Sequence, residues 1–343
     1  MQIPEIHSDY RPIERILVQA HAEKLLFAAM EMQLFDALRQ PATAEDVAQK
    51  IACPVLSTRR LLEALQSLEL LDFQDGKFVN TPTASDFLVT DSAAYQPKGI
   101  HFLSNMYQVF TSDFTEVLRR GGYEGPGVED WDGGEGHWAE KGTFEGMGSY
   151  ALCGPIQDVR NFVMDLPGLS SMKRMCDIGG NHGFYSMALL ETYPELTSTV
   201  CDLPHVVGPA QNFYAGTEFA QRLTTRAVDL SSEDSFGENY DLALASHVLY
   251  YWVGQLSGIL HRVQDALRPG GWFVTSHFLR DPKEAVSYDL AFVNLLASLS
   301  GCKAHFIEKD ALAAEFEAAG FQNIRSAEGA DTGLLILAGQ KPD

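Results

Sequence analysis

Met175-Cys-Asp-Ile-Gly-Gly-Asn-His-Gly-Phe184, followed by Val200-Cys-Asp-Leu-Pro204, decides how this chain folds. Met175 to Ile178 has the length and apolar character of a buried strand. Gly179, Gly180 and Gly183 supply a turn in which backbone can approach a ligand closely. A helix follows the turn, and a second strand ends in the acid Asp202. Strand, glycine turn, helix and acid-tipped strand is how a doubly wound sheet holds a nucleoside, the acid accepting hydrogen bonds from ribose hydroxyls. The spacing Asp177-Ile-Gly-Gly-Asn-His-Gly183 is not GxGxxG, which disfavours a dinucleotide. The turn also lacks Lys and Arg, which suits a ligand without phosphates.

Strands alternate with helices on the carboxyl-terminal side of this unit. The pattern predicts strands at Arg174–Ile178, Thr197–Cys201, Leu223–Val228, Asp241–Ser246, Trp272–His277, Asn323–Ala327 and Leu334–Ala338. Intervening stripes such as Leu256, Ile259, Leu260, Val263 and Leu267 are helical. The expected fold class is α/β, a Rossmann-like, mainly parallel sheet with helices on both faces.

The amino-terminal third reads differently. Ile16 to Leu38 carries Ile16, Leu17, Ala20, Phe27, Met30, Leu34, Phe35 and Leu38 at helical spacing, interrupted only by Lys24. Thr43 followed by Asp46 predicts a capped helix, and Ser57 to Leu68 a further one. Leu70 to Asn80 reads as a hairpin turning at Asp75-Gly76. Three helices and a hairpin make a winged helix. Arg59 and Arg60 on its presumed recognition helix are offset by Glu63 and Glu69, so dimerisation is favoured over DNA reading. Tyr95 to Phe162 is helical, broken at Gly121 to Gly136 by an acidic, glycine-rich surface loop that could act as a lid. Phe144, Met147 and Tyr150 follow on a helix. The expected organisation is therefore 1–95 winged-helix-like, 96–165 helical linker and lid, and 166–343 nucleoside-binding.

The net charge of this 343-residue chain is -21. Such a surface repels phosphates and anionic lipid, so neither nucleic acid nor membrane is an expected partner. The segment Met1-Gln-Ile-Pro-Glu-Ile-His7 has neither a basic region nor an apolar core, so no secretory signal is expected. The five scattered cysteines, with no CxxC, fit a reduced cytoplasm. No metal cluster is visible in the pattern.

Asp229 ends the third strand, where an acid can bond an adenine amino group; for Asp202 and Asp229 the competing role is helix capping. Together with Pro194-Glu-Leu196, Cys201-Asp-Leu-Pro204, Val228-Asp-Leu230, Trp252, Leu267-Arg-Pro-Gly-Gly271 and Ala319-Gly-Phe321, the glycine turn resembles the S-adenosylmethionine-dependent O-methyltransferases of the caffeate and hydroxyindole type. The resemblance covers nearly the whole chain. It implies a class I methyltransferase sheet behind an amino-terminal dimerisation domain, a homodimer, and a small, aromatic secondary metabolite as methyl acceptor. It places the cofactor against Asp177, Gly179, Gly180 and Gly183, its ribose on Asp202 and Leu203, and its adenine beside Asp229 and Leu230. Ser246 stands where relatives often carry Lys or Arg. By analogy the acceptor pocket would draw on Met106, Met147, Tyr251, Trp252, Phe292 and Asn294. The family needs no metal.

One segment departs from the family. Its base is the His of a Leu-His-Asp-Trp run after the fourth strand. Here that run reads Ser246-His-Val-Leu-Tyr-Tyr-Trp252, so Tyr250 replaces the His and Tyr251 the Asp. A phenol of pKa near ~10 is a poor base at neutral pH. Three readings follow. The acceptor could need little help, as a carboxylate, thiol, acidic phenol or carbanion would. Another histidine could serve: His247 if the chain turns helical, His305, His101 or His137. Or the bound cofactor could support chemistry other than methyl transfer. His182 would shape the glycine turn, and His277 would be a buried polar group. Outside this family, the alternatives are a ligand-sensing winged-helix regulator and a NAD-dependent oxidoreductase.

Overall fold

The computed structural model describes the chain apart from residues 1, 2, 4, 6, 124–136, 279–287, 301–306 and 330–332, and apart from the side chains of His137, Tyr251 and Leu290. Most of the loop expected to act as a lid, and His305, therefore lie outside the described residues. The chain divides into two units, Met1–Pro97 and Lys98–Asp343. The helices of residues 98–165 cluster with the sheet.

The first unit contains α1 (Arg11–Gln19), α2 (Ala22–Glu31), α3 (Leu34–Ala37), α4 (Ala44–Lys50), α5 (Val55–Ser67), β1 (Leu71–Gln74), β2 (Lys77–Asn80) and α6 (Pro82–Phe87). The stripe from Ile16 to Leu38 is not one helix: it breaks after Gln19 and again at Gln33, whose φ of 54° is left-handed. The second break redirects the chain so that Leu34, Phe35 and Leu38 are buried together with Leu62, Leu65 and Phe78. Asn80 Nδ2 ties the redirected segment to the hairpin by donating to the Phe35 carbonyl at 2.8 Å. Burial of three large side chains, each favourable by ~1.5–3 kcal/mol, outweighs one strained residue. Only the α1 part of the stripe stays outside, with Ile16, Leu17 and Val18 exposed within this unit.

The local signals of this unit hold. Thr43 and Asp46 form a reciprocal capping box at the start of α4, and the Thr43 hydroxyl bond holds the Asp46 carboxyl below its usual range. The hairpin turns at Asp75 and Gly76 with φ of 51° and 79°, as a two-residue primed turn requires. On α5, Arg59 pairs with Glu45 at 2.8 Å and Arg60 with Glu63 at 2.5 Å, so both guanidinium groups face carboxylates.

The second unit contains α7 (Pro97–Thr111), α8 (Phe114–Arg120), α9 (Lys141–Ala151), α10 (Pro155–Met164), β3 (Arg174–Ile178), α11 (Phe184–Thr192), β4 (Thr197–Asp202), α12 (Pro204–Tyr214), β5 (Leu223–Ala227), β6 (Tyr240–Ser246), α13 (Ser257–Ala266), β7 (Leu267–Phe278), α14 (Tyr288–Leu299), α15 (Lys309–Ala318), β8 (Gln322–Glu328) and β9 (Leu334–Gln340). The sheet runs β5-β4-β3-β6-β7-β9-β8. The first five strands are parallel, and β9 is antiparallel to both neighbours. All seven expected strands are present; β7 starts earlier than expected, at Leu267.

Strand periodicity divides the core in two. Met175, Val200, Leu242, Leu244, Trp272 and Val274 pack with α10, α11 and α12. Cys176, Cys201, Ala243, Ala245 and Phe273 pack on the other face with α13 and α15. Burial pushes both strand thiols up, Cys201 to about 12, so they act as small apolar groups. Chain order reverses at β3, which has β4 on one side and β6 on the other. The carboxyl ends of β3 and β6 thus flank the crevice where open α/β sheets bind ligands.

Candidate functional site

At the end of β3 the glycine turn is fixed from several directions. Gly179 and Gly183 have φ of 65° and 70°. A Cβ on Gly179 would lie 2.5 Å from Val248 Cγ2, and one on Gly180 would lie 2.6 Å from the Asp177 carboxyl carbon. A side chain at either position would have to displace Val248 or the buried Asp177 carboxyl. The Gly179 N–H donates to the Cys201 carbonyl at 2.7 Å. The Asn181 N–H donates to Asp202 Oδ2 at 2.9 Å, its side-chain amide donates to the Trp138 carbonyl at 2.8 Å, and its carbonyl accepts from the Tyr214 hydroxyl. His182 shapes the turn, as expected, by accepting from the Phe184 N–H at 3.1 Å through Nδ1. Burial pushes its imidazole down to about 4, so it is neutral.

Each acid picked out by sequence also does structural work. Asp177 is buried beneath Gly180, and its Oδ2 accepts from the Ser186 hydroxyl at 2.7 Å. Ser186 in turn lies 2.8 Å from the Ser198 hydroxyl. Burial raises the Asp177 carboxyl to about 7. Asp202 has both oxygens engaged, Oδ2 by Asn181 and Oδ1 by the Leu203 N–H at 2.8 Å. A carboxylate has about four acceptor positions, which leaves room for ribose hydroxyls. Asp229 Oδ1 accepts from both the N–H and the hydroxyl of Ser231 at 2.8 and 2.7 Å, closing a turn; no helix begins there, so the helix-capping role does not apply to it. The Leu230 carbonyl accepts from Arg262 at 2.7 Å. Ser246 Oγ lies 2.6 Å from Ser276 Oγ across β6 and β7.

Past Ser246 the chain makes its second sharp turn at this edge of the sheet. His247 has φ of 56°, and its N–H donates to the Ser276 carbonyl at 2.9 Å. A 3-10 turn follows over Leu249–Trp252. His247 precedes this turn, and its left-handed backbone brings its Nδ1 to 2.8 Å from the Tyr250 hydroxyl oxygen. That oxygen accepts from the Phe278 N–H at 2.9 Å. Tyr250 is buried at 5% exposure, whereas His247 is half-buried with its ring 4.6 Å from that of Phe278. Behind Tyr250, in T-shaped contact at 5.3 Å, lies His277. It is fully buried, neither ring nitrogen has a hydrogen-bond partner among the described residues, and burial pushes it down to about 3.

The residues expected around the acceptor are only partly gathered. Phe292 on α14 lies 5.8 Å from Tyr107 on α7 and 6.4 Å from Phe114 on α8, ring centre to ring centre. Met106, Met147 and Trp252 are half-buried, while Asn294 is exposed. His101 is exposed on α7. What joins this aromatic cluster to the glycine turn went unread in the sequence. A Cβ on Gly146 of α9 would lie 2.6 Å from the Phe102 side chain, and one on Gly148 would lie 2.7 Å from the Phe184 ring. These two glycines let α9 fit between α7 and α11. The Gly146-Met-Gly148 spacing on a predicted helix was the available signal.

Among the described residues no group of side chains could hold a metal ion, and no helix is long and apolar enough to cross a membrane. A glycine turn without cationic side chains, an acid beside it, and an aromatic cluster of Tyr107, Phe114 and Phe292 describe a nucleoside-binding site with room for a second, aromatic ligand. The comparisons give the class its name. Residues 157–322 match the O-methyltransferase domain, and residues 15–90 match the O-methyltransferase dimerisation domain. The chain is 28% identical to 3-hydroxy-5-methyl-1-naphthoate 3-O-methyltransferase of Streptomyces sahachiroi, over 79% of this chain and 77% of that one. It is 26% identical to the N,N-dimethyltransferase OxyT of Streptomyces rimosus, over 97% and 96%. The structure of human N-acetylserotonin methyltransferase with S-adenosylmethionine has the same fold, with a TM-score of 0.69 and 21% identity over all of both chains. This protein belongs to the O-methyltransferase family, and its cofactor is S-adenosylmethionine.

Proposed function

We propose that this protein moves a methyl group from S-adenosylmethionine to an oxygen of a small aromatic metabolite, and that it does so as a homodimer. The observation that carries this reading is the continuity of the site. Phe292 and Tyr107 meet across α14 and α7, and α9 connects α7 to the glycine turn through Phe102 and Phe184. A planar acceptor would be held between aromatic faces, which also favour a neighbouring cation. The naphthoate relative acts on an aromatic hydroxyl by its name.

When bound, the cofactor supplies an electrophilic methyl carbon on a cationic sulfur. The rest falls to the chain. The clamps on Asn181 hold the turn rigid before binding. Asp202 offers its remaining acceptor positions to ribose, and Val248 closes the turn at Gly179. Alignment of the reacting atoms is worth up to ~7–11 kcal/mol. The exposed α1 residues Ile16, Leu17 and Val18 would be covered by the second copy. The four described cysteines are free, in keeping with a cytoplasmic setting.

Calorimetry with S-adenosylmethionine and S-adenosylhomocysteine tests the cofactor site; no heat at high micromolar ligand overturns the reading. Light scattering after size exclusion tests the dimer, which a monomeric mass at micromolar concentration would refute. The relative OxyT is named for N-methylation, so a second reading is an amine acceptor. Parallel assays with hydroxynaphthoates and aromatic amines separate the two.

A further inference from the structure

We propose that His247 is the proton acceptor in methyl transfer and that Tyr250, standing where relatives carry the base, is the residue that positions it. The inference rests on the O-methyl transfer reading above.

The geometry narrows the choice among the described histidines. His182 is sealed into the glycine turn, with Nδ1 accepting from the Phe184 N–H. His277 is fully buried behind Tyr250, with no route to an acceptor. His101 sits exposed on α7. His247 lies at the carboxyl end of β6, one residue from Val248, whose side chain seals against Gly179. It is therefore tied to the cofactor turn while keeping part of its surface open; His205, also half-buried, faces Asp202 from the start of α12 instead.

The hydrogen bonds around Tyr250 define its part. A phenol oxygen has one proton and two acceptor positions. The Phe278 N–H fills one acceptor position at 2.9 Å. His247 Nδ1 lies 2.8 Å from the same oxygen and can fill the other by donating its proton. In that arrangement the lone pair sits on His247 Nε2, the nitrogen opposite Tyr250. The Nδ1–H bond persists when the imidazole gains a second proton, so the phenol oxygen supports the imidazolium that forms. Orienting a base through its far nitrogen in this way is a general device. Imidazole, with an ordinary pKa near ~6.5, is also far better matched to neutral pH than a phenol. Titratable groups facing His247 include Tyr250 itself and, behind it, His277.

The backbone agrees. A left-handed φ is uncommon for a non-glycine residue, yet His247 is held in it by the Ser276 carbonyl and the Phe278 ring. The step balances simply. The acceptor hydroxyl gives its proton to Nε2, and its oxygen forms the new bond to the methyl carbon. The carbon–sulfur bond breaks with its pair remaining on sulfur. The imidazolium then returns its proton to solvent.

Two measurements test this. Nitrogen-15 spectra of histidine-labelled protein with S-adenosylhomocysteine need no acceptor; His247→Asn identifies the signal. The expected result is an Nδ1–H tautomer that becomes mixed in Tyr250→Phe. An Nε2–H tautomer in the unaltered protein overturns the proposal. The second is the pH profile of methyl transfer to 3-hydroxy-1-naphthoate. His247→Gln should lower kcat about 10²–10⁴-fold and abolish the acidic limb, leaving the KM for S-adenosylmethionine unchanged. Tyr250→Phe should shift that limb and lower kcat less. Added imidazole should restore part of the activity of His247→Ala. A His247→Gln enzyme with an unaltered rate and pH profile sinks the base assignment alone. Failure of the unaltered protein to bind either form of the cofactor sinks the functional reading instead.

Discussion

Two turns stand side by side at the carboxyl edge of the sheet, one after β3 and one after β6, and they solve the same backbone problem differently. Each enters the left-handed region. The first does so with glycines at 179 and 183, the second with His247. In the first, what matters is the space a side chain would fill, since Val248 and the Asp177 carboxyl occupy it. In the second, what matters is the side chain itself, held by Tyr250 and Phe278. A cofactor cradle is built from backbone and tolerates nothing larger than hydrogen. A reactive group must project a side chain, and the structure tolerates the strain to aim it.

The largest effect should follow from giving the first turn what the second has. Gly179→Ala adds a Cβ 2.5 Å from Val248 at a φ of 65°. Calorimetry should show cofactor affinity falling by more than ~2 kcal/mol, the upper range for overpacking. Adding Val248→Ala should restore part of it. Full restoration would mean that the backbone angle is unimportant and that the contrast between the turns is purely steric.

Next in size is the clamp. Asp202→Asn keeps the shape but replaces one acceptor oxygen facing the Asn181 and Leu203 N–H groups with an NH2. Loss of one such bond in a partly buried setting should weaken cofactor binding by ~1–3 kcal/mol, read by the same titration. An unchanged affinity would show that the turn holds itself.

A smaller effect concerns pH. Burial raises the Asp177 carboxyl from its ordinary 3.8 to about 7. Between those values the folded protein keeps a proton that the unfolded chain has released. This group therefore supports the fold at low pH, and that support is lost as pH rises toward 7. Burial shifts Asp202 in the same direction. Asp177→Asn should flatten the fall in Tm between pH 4 and 7; an unchanged slope would place the titration elsewhere.

The smallest change is expected from relieving the second turn. Asn adopts left-handed backbone more readily than His, so His247→Asn should alter Tm by no more than about 1–2 °C, roughly 1 kcal/mol for a chain of 343 residues. A large drop would make His247 a structural residue and erase the distinction between the two turns.

The sequence was most legible where information is local. The capping box at Thr43 and Asp46, the turn at Asp75-Gly76 and the seven strands depend on neighbours two to four residues away. It misled where distant burial overrode a local pattern: the stripe from Ile16 to Leu38 has helical periodicity throughout, yet the chain bends at Gln33 to bury Phe35 and Leu38. In the site, Asp202 was legible as an acid beside a glycine turn, but its bond to the Asn181 N–H was not. Gly146 and Gly148 went unnoticed because their value lies in Phe102 and Phe184, far along the chain.

Composition, periodicity and motif spacing by themselves determined a doubly wound sheet and a nucleoside site unlike that of a dinucleotide; the resemblance to the methyltransferases added the adenosyl cofactor and the irregularity at Tyr250. These are properties of short segments, and a short segment carries its own backbone preferences wherever it is placed. Only the tertiary structure decided what Tyr250 touches. Its hydroxyl meets the N–H of Phe278, 28 residues on, because β7 lies beside β6 in the sheet. The same pairing sets His247 against the Ser276 carbonyl and the Phe278 ring. Strand pairing is a long-range choice made by burial of the whole sheet, so no reading of residues 246–252 alone could supply it.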